Sequence, residues 1–152
     1  MSEGDVGEDD PSILEAVHES LWRLRTLRFD EVLYIGDLPS LSLTNWPNRI
    51  TDRVVITAER RRHYLERHPD VEPCEDVPIE AVRDPDEIHR YVRDITIANV
   101  YRQIDEQHDI VASIQITHAV GMMNSVMTAR ISRKRDRDSA RRRGLLLWNK
   151  QK

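Results

Sequence analysis

Residues 63–70 read HYLERHPD, which puts His63, Arg67 and His68 within six positions and against Pro69. An imidazole exchanges a proton near neutral pH, and a guanidinium grips a phosphate through charge-assisted, often bidentate hydrogen bonds. On a helix turning about 100° per residue, His63 and Arg67 stand about 40° apart and can share one ligand. His68, about 140° from His63, joins them only if the chain turns at Pro69. The same residues suit a solvated helix laced with pairs such as Glu59 to His63 and Arg62 to Glu66, each worth about 0.2–0.5 kcal/mol. Both readings stay open on this stretch alone. Metal binding is a weaker reading, because the two histidines are five residues apart and no HExxH pattern or cysteine cluster accompanies them. Cys74 is the single cysteine, so a thiol nucleophile would rest on it alone.

The elements that must carry these side chains follow from periodicity and punctuation. RVVIT is a β-rich run, and Thr57 behind it is a good N-cap for AERRRHYLERH, which should end at His68 because Pro69 disfavours helical geometry there. Upstream, Ser12 and Glu15 make a capping box, and Leu14, Val17, Leu21 and Leu24 recur at helical spacing, predicting a helix over residues 13–28. FDEVLYIGDLP reads as a short strand and SLSLTNWPNR as a loop. The four prolines of PDVEPCEDVPIEAVRDPDEI predict loop and turn. Strands are expected over residues 91–104, 109–118 and 124–132, with a hairpin turn at 105–108 and Gly121 in the next connection. Alternation predicts a core face of Ile110, Ala112, Ile114 and Ile116 with Met127, Ala129 and Ile131, leaving the other face more polar. The sum is an α+β domain, with N-terminal helices packed on an antiparallel sheet and a basic segment behind it.

Composition narrows the classes. With 152 residues, 39% hydrophobic and 33% charged, the chain is globular in character and suits one domain over residues 11–152 behind a disordered acidic leader at 1–10. The lone cysteine favours a reduced, cytoplasmic setting, and no apolar stretch is long enough for a signal or membrane segment. The net charge of −4 conceals an asymmetry. From Arg130 onward ten Lys or Arg face only Asp136 and Asp138, a charge of +8 that leaves −12 on the residues before it. Such a tail can receive a polyanion, with Arg130, Arg141, Arg142 and Arg143 as phosphate contacts, or it can meet the protein's own acidic parts.

The segments RHYLERHPD, DPDEI, HDIVASIQIT and NSVMTARIS together resemble the phage-type branch of the barnase, EndoU, colicin and RelE nuclease superfamily, the BECR fold. The likeness spans residues 54–132. It implies an α+β fold, a metal-independent ribonuclease activity without cofactor, and site residues His63, Arg67 and His68 on the helix and Thr128 on the last strand, with Asn124 a lesser candidate. RNA is then the expected partner, and a cognate inhibitor or antitoxin protein a further candidate; no membrane partner is expected. The chemistry would be attack of a 2′-hydroxyl on the adjacent phosphorus, with His63 and His68 moving protons, Arg67 holding the phosphorane and Thr128 bonding a phosphate oxygen. Tyr101 is a stacking surface for an unpaired base or a cross-strand packing residue, and His108 and His118 fall near strand ends. The alternatives are a non-catalytic RNA-binding module of the same fold and a protein-interaction domain whose acidic and basic ends neutralise each other.

Overall fold

The computed structural model describes residues 11–150, with side chains described from Val17 onward. The leader at 1–10 lies outside the described residues, and the Ser12 to Glu15 capping box outside the described side chains. In chain order the elements are α1 (Pro11–Arg25), β1 (Val32–Asp37), β2 (Arg53–Thr57), α2 (Ala58–Arg67), α3 (Asp76–Arg83), β3 (Glu87–Arg90), β4 (Ile97–Gln103), β5 (His108–Gln115), β6 (Asn124–Arg133), α4 (Lys134–Arg142) and β7 (Leu146–Asn149). The strands form one sheet in the order β1-β2-β6-β5-β4-β3-β7. Only β2 and β6 pair in parallel; the remaining pairs are antiparallel. The protein is therefore α+β, as its sequence pattern predicts. Among the described residues no helix is long and apolar enough to cross a membrane.

Local chemistry explains where elements start and stop. Thr57 caps α2, its hydroxyl accepting from the Arg60 N–H at 3.2 Å, and the helix closes at His68, whose N–H donates to Tyr64 O at 2.7 Å. The segment expected to be one strand over 91–104 opens with a turn over 91–96, and only β4 within it is a strand, with β3 ending just before it. Asp94 there accepts from the Thr96 N–H at 2.9 Å and the Thr96 hydroxyl at 2.6 Å, a local alternative to ladder bonding. The proline-rich stretch, expected to be loop, holds a 3-10 turn (Pro69–Cys74) and α3. Pro69 and Pro78 sit in first turns, where a missing N–H leaves no helical bond unmade. The basic tail is folded as well: α4 ends in a Schellman motif, with Leu145 N–H donating to Ala140 O, Gly144 N–H to Arg141 O, and Gly144 at φ +76. Beyond that turn β7 pairs with β3.

One sheet face buries Ile110, Ala112 and Ile114 of β5 against α1 and α3, through residues such as Val17, Leu24, Ile79 and Val82. Ala129 and Ile131 stand opposite Ala112 and Ile110, as the alternation predicts. Met127 does not belong to this face. A bulge between Ser113 and Ile114 advances β6 by one residue, so Val126 faces Ile114 and enters the core while Met127 is left half-buried. The central strand is buried on both sides at Val111 as well. Truncating Ile114 to Ala should cost about 2–5 kcal/mol in urea unfolding. Met127→Ala should cost clearly less; an equal loss would return Met127 to the core.

Candidate functional site

The sheet face turned away from α1 and α3 carries polar residues in register. One row across it runs His89, Asn99, Ser113, Thr128, and the next runs Glu87, Tyr101, Val111, Arg130. A third carries Gln103, Asp109 and Ser132. Helix α4 leaves β6 and lies over one end of this face, bringing Arg137 and Arg141 down onto it. Glu87 Oε1 takes His89 Nε2 at 2.7 Å and Arg141 Nε at 3.1 Å, and Oε2 takes Arg137 Nη1 at 3.3 Å. Arg137 Nε lies 3.0 Å from Asp109 Oδ2, close enough for an ion pair, although the atoms are not aligned for a hydrogen bond. The His89 and Tyr101 rings pack 4.6 Å apart. Ser113 donates its hydroxyl to Asn99 Oδ1 at 2.7 Å.

The electrostatics follow from burial. Desolvation works to raise the Glu87 carboxyl, but the His89 bond and the two guanidiniums outweigh it and hold the group below its ordinary value. Glu87 is thus a carboxylate, which makes His89 Nε2 the protonated nitrogen and leaves the buried Nδ1 without a partner. For Asp109 the balance reverses: burial pushes its carboxyl up to about 6 despite Arg137, with Asp86 and Glu87 adding to the rise. Burial also raises the Tyr101 hydroxyl, opposed by Arg130. His89, Glu87, Asn99, Asp109 and Arg137 carry the polar character of this face, and none was selected from sequence. Glu87 and His89 lie two apart within DPDEIHR, an alternation masked by the neighbouring prolines.

The residues selected from sequence separate into three groups. Tyr101, Thr128 and Arg130 share the polar face; Tyr101 is buried against His89, while Thr128 and Arg130 are half-exposed. Asn124 points to the opposite side, fully buried, accepting from the Thr117 N–H and donating to Thr51 O at 2.8 Å each, so its work is to join two chain segments. His63, Arg67 and His68 ride on α2, which packs against β6 from the core side, so the sheet separates them from Thr128 and Arg130 on the polar face. His63 and Arg67 are exposed, His68 is half-buried at the cap, and among the described residues none of the three side chains has a hydrogen-bond or ion-pair partner.

What holds α2 in place is a buried carboxylate. Glu75, fully shielded, accepts from Arg61 Nη2 at 2.7 Å, Arg61 Nε at 2.9 Å and the Tyr64 hydroxyl at 2.6 Å. Burial, then Glu75, raises the Tyr64 hydroxyl far out of its usual range. Of the two helix-surface pairs expected, Arg62 and Glu66 approach to 3.9 Å at an exposed site, which contributes little. The tail arginines divide: Arg141 is tied to Glu87, whereas Arg142 and Arg143 are exposed without ion-pair partners among the described residues. Part of the basic tail therefore meets the protein's own acids, as one of its two sequence readings holds. Burial and the nearby Asp76 raise the Cys74 thiol, which disfavours a thiolate nucleophile. Among the described residues no group of three or more His, Cys, Asp or Glu is arranged to hold a metal.

Comparison with family models, with curated proteins and with solved structures finds no match. The chemistry of the site therefore rests on its own geometry. Asp109 offers a direct check. Folded, it keeps its proton until about pH 6, and unfolded it releases it near the ordinary carboxyl value of 3.8. Between those values the folded state binds more protons, so Asp109 makes stability fall as pH rises through that window. In urea unfolding, Asp109→Asn should gain on the parent protein as pH is raised from about 4 to about 6. A stability difference that is flat, or that moves the other way, would contradict the raised carboxyl.

Proposed function

We propose that the protein is a metal-independent ribonuclease that takes single-stranded RNA on the outward side of α2. The single observation that carries this reading is the anchoring of α2 by Glu75, which draws Arg61 and Tyr64 inward and leaves His63 and Arg67 exposed and without partners among the described residues. The resemblance of HYLERHPD to the phage-type nuclease branch supports the same residues. Arg130 makes no ion pair among the described residues, so its charge is available to a phosphate. With Thr128 beside it, Arg130 offers a second phosphate contact on the far side of the sheet from α2, apart from the reaction.

The reaction needs a base for the 2′-hydroxyl, an acid for the leaving 5′-oxygen and positive charge near the phosphorane. His63 takes the 2′-proton as the P–O2′ bond forms. The P–O5′ bond breaks, a proton from His68 or water completes the 5′-hydroxyl, and a 2′,3′-cyclic phosphate remains. Arg67 meets the charge of the phosphorane. His89, buried and bonded to Glu87, orients Tyr101 rather than meeting solvent. DNA is spared because it has no 2′-hydroxyl. A reduced cytoplasmic setting and an inhibitor protein that covers this side of α2 are consistent with this activity.

The purified protein should cut single-stranded RNA in EDTA, leave cyclic phosphate ends and spare DNA. His63→Ala should then lose about 10²–10⁴ in rate, the usual contribution of a general acid or base. Arg67→Lys should also slow cleavage, because an ammonium cannot reproduce the guanidinium fork. If the protein binds RNA at low salt but never cleaves it, the reading contracts to an RNA-binding module, for which the exposed Arg142 and Arg143 supply phosphate contacts.

A further inference from the structure

At the end of the sheet where β3 and β5 finish, a cavity of about 230 Å³ opens between the loop after the 3-10 turn Ser40–Leu43, the start of β4 and the strand β7. None of the residues of the polar face lines it. Its floor is apolar, with Trp46 and Leu147, and its walls carry Asn45, Asn48, Arg90 and His118. We propose that this cavity binds a nucleoside monophosphate. The inference is independent of the ribonuclease reading.

Three observations carry it. The first is that the polar groups are unspent: among the described residues, the side chains of Asn45, Asn48, Arg90 and His118 make no hydrogen bond or ion pair within the chain. Asn45, Asn48 and His118 are exposed and Arg90 is half-buried, so all four are open to a ligand at the rim of the apolar floor. The second is rigidity. Arg49 holds the loop from inside, donating to Asp52 Oδ1 at 2.7 Å, Leu43 O at 3.0 Å and Trp46 O at 3.2 Å. The indole of Trp46 is fixed by its own Nε1–H, which donates to Ile95 O at 2.7 Å, and the residue is only 4% exposed. A ligand would meet walls that are already ordered, so little entropy is lost on binding.

The third observation is the match of chemistry to size. The volume lies below the roughly 300–1,000 Å³ of sites for drug-sized ligands, and it suits a planar base with its sugar reaching the rim. A base presents an apolar face to Pro47, Ile95 and Leu147, over the small uncovered part of Trp46, and alternating donors and acceptors along its edge, and the two asparagine amides carry both. The guanidinium of Arg90 supplies the fork that a phosphate monoester takes. A purely apolar ligand would leave that cation and both amides without partners, and inorganic phosphate alone would leave the floor uncovered.

The test is calorimetric titration of the full chain with uridine 5′-monophosphate, with uridine and inorganic phosphate as separate arms. Saturable binding of the nucleotide is expected, with each part binding at least about tenfold more weakly than the whole. Arg90→Gln should weaken the nucleotide about tenfold or more and leave uridine unchanged. Asn48→Ala, in a surface loop where folding is not at risk, should weaken nucleotide and uridine alike, and Thr128→Ala should affect neither. The inference is overturned if no nucleotide binds up to about 10 mM. It is equally overturned if inorganic phosphate binds as well as the nucleotide, or if Arg90→Gln leaves nucleotide affinity intact.

Discussion

Glu87 and Asp109 are carboxyls set on a sheet with almost no access to water, and Arg137 is the cation that lets them stay there. Burying a charge without a partner costs several kcal/mol, and removing one member of a buried pair typically costs about 3–5 kcal/mol. The contact therefore does more than decorate the surface. It draws α4 across the end of the polar face, the Schellman turn at Gly144 then reverses the chain, and β7 completes the sheet beside β3. Because α4 shields one end only, His89 and Tyr101 are sealed while Ser113, Thr128 and Arg130 remain half-exposed. The boundary between structural and available polar groups is set by where that helix lies.

A second buried carboxylate plays the same part on the other side of the sheet. Glu75 binds Arg61 in bidentate fashion and takes the Tyr64 hydroxyl, and so fixes the rotation of α2 about its own axis. With Arg61 and Tyr64 turned inward, His63 and Arg67 face outward. Residues that could do chemistry are thus free because their neighbours are committed.

The strands β5 and β6 and the helix α2 were legible because their signals are local: alternation over Ile110 to Ile116, a threonine cap and a terminating proline. Helix α3 was hidden because prolines that usually break helices fall in its first turn and in the 3-10 turn before it. The fold of the tail was hidden for a different reason. The acids that neutralise Arg137 and Arg141 stand on β3 and β5, far away in the chain, so the segment reads as a solvated basic run. The bulge that exchanges Met127 for Val126 leaves no local mark at all, since either residue is apolar. Of the candidate site, Tyr101, Thr128 and Arg130 were legible as a group, but Glu87, His89 and Asp109 acquire meaning only from pairing across strands.

The account turns on one surface, the outward side of α2, being where RNA sits. The most direct measurement is the pattern of backbone amide shifts when a single-stranded RNA, methylated at its 2′-oxygens so that it cannot be cut, is titrated into the labelled protein. The account predicts saturable shifts at His63, Arg67 and His68. Shifts confined to the outer side of α4 around Arg142 and Arg143, with α2 silent, would contradict it.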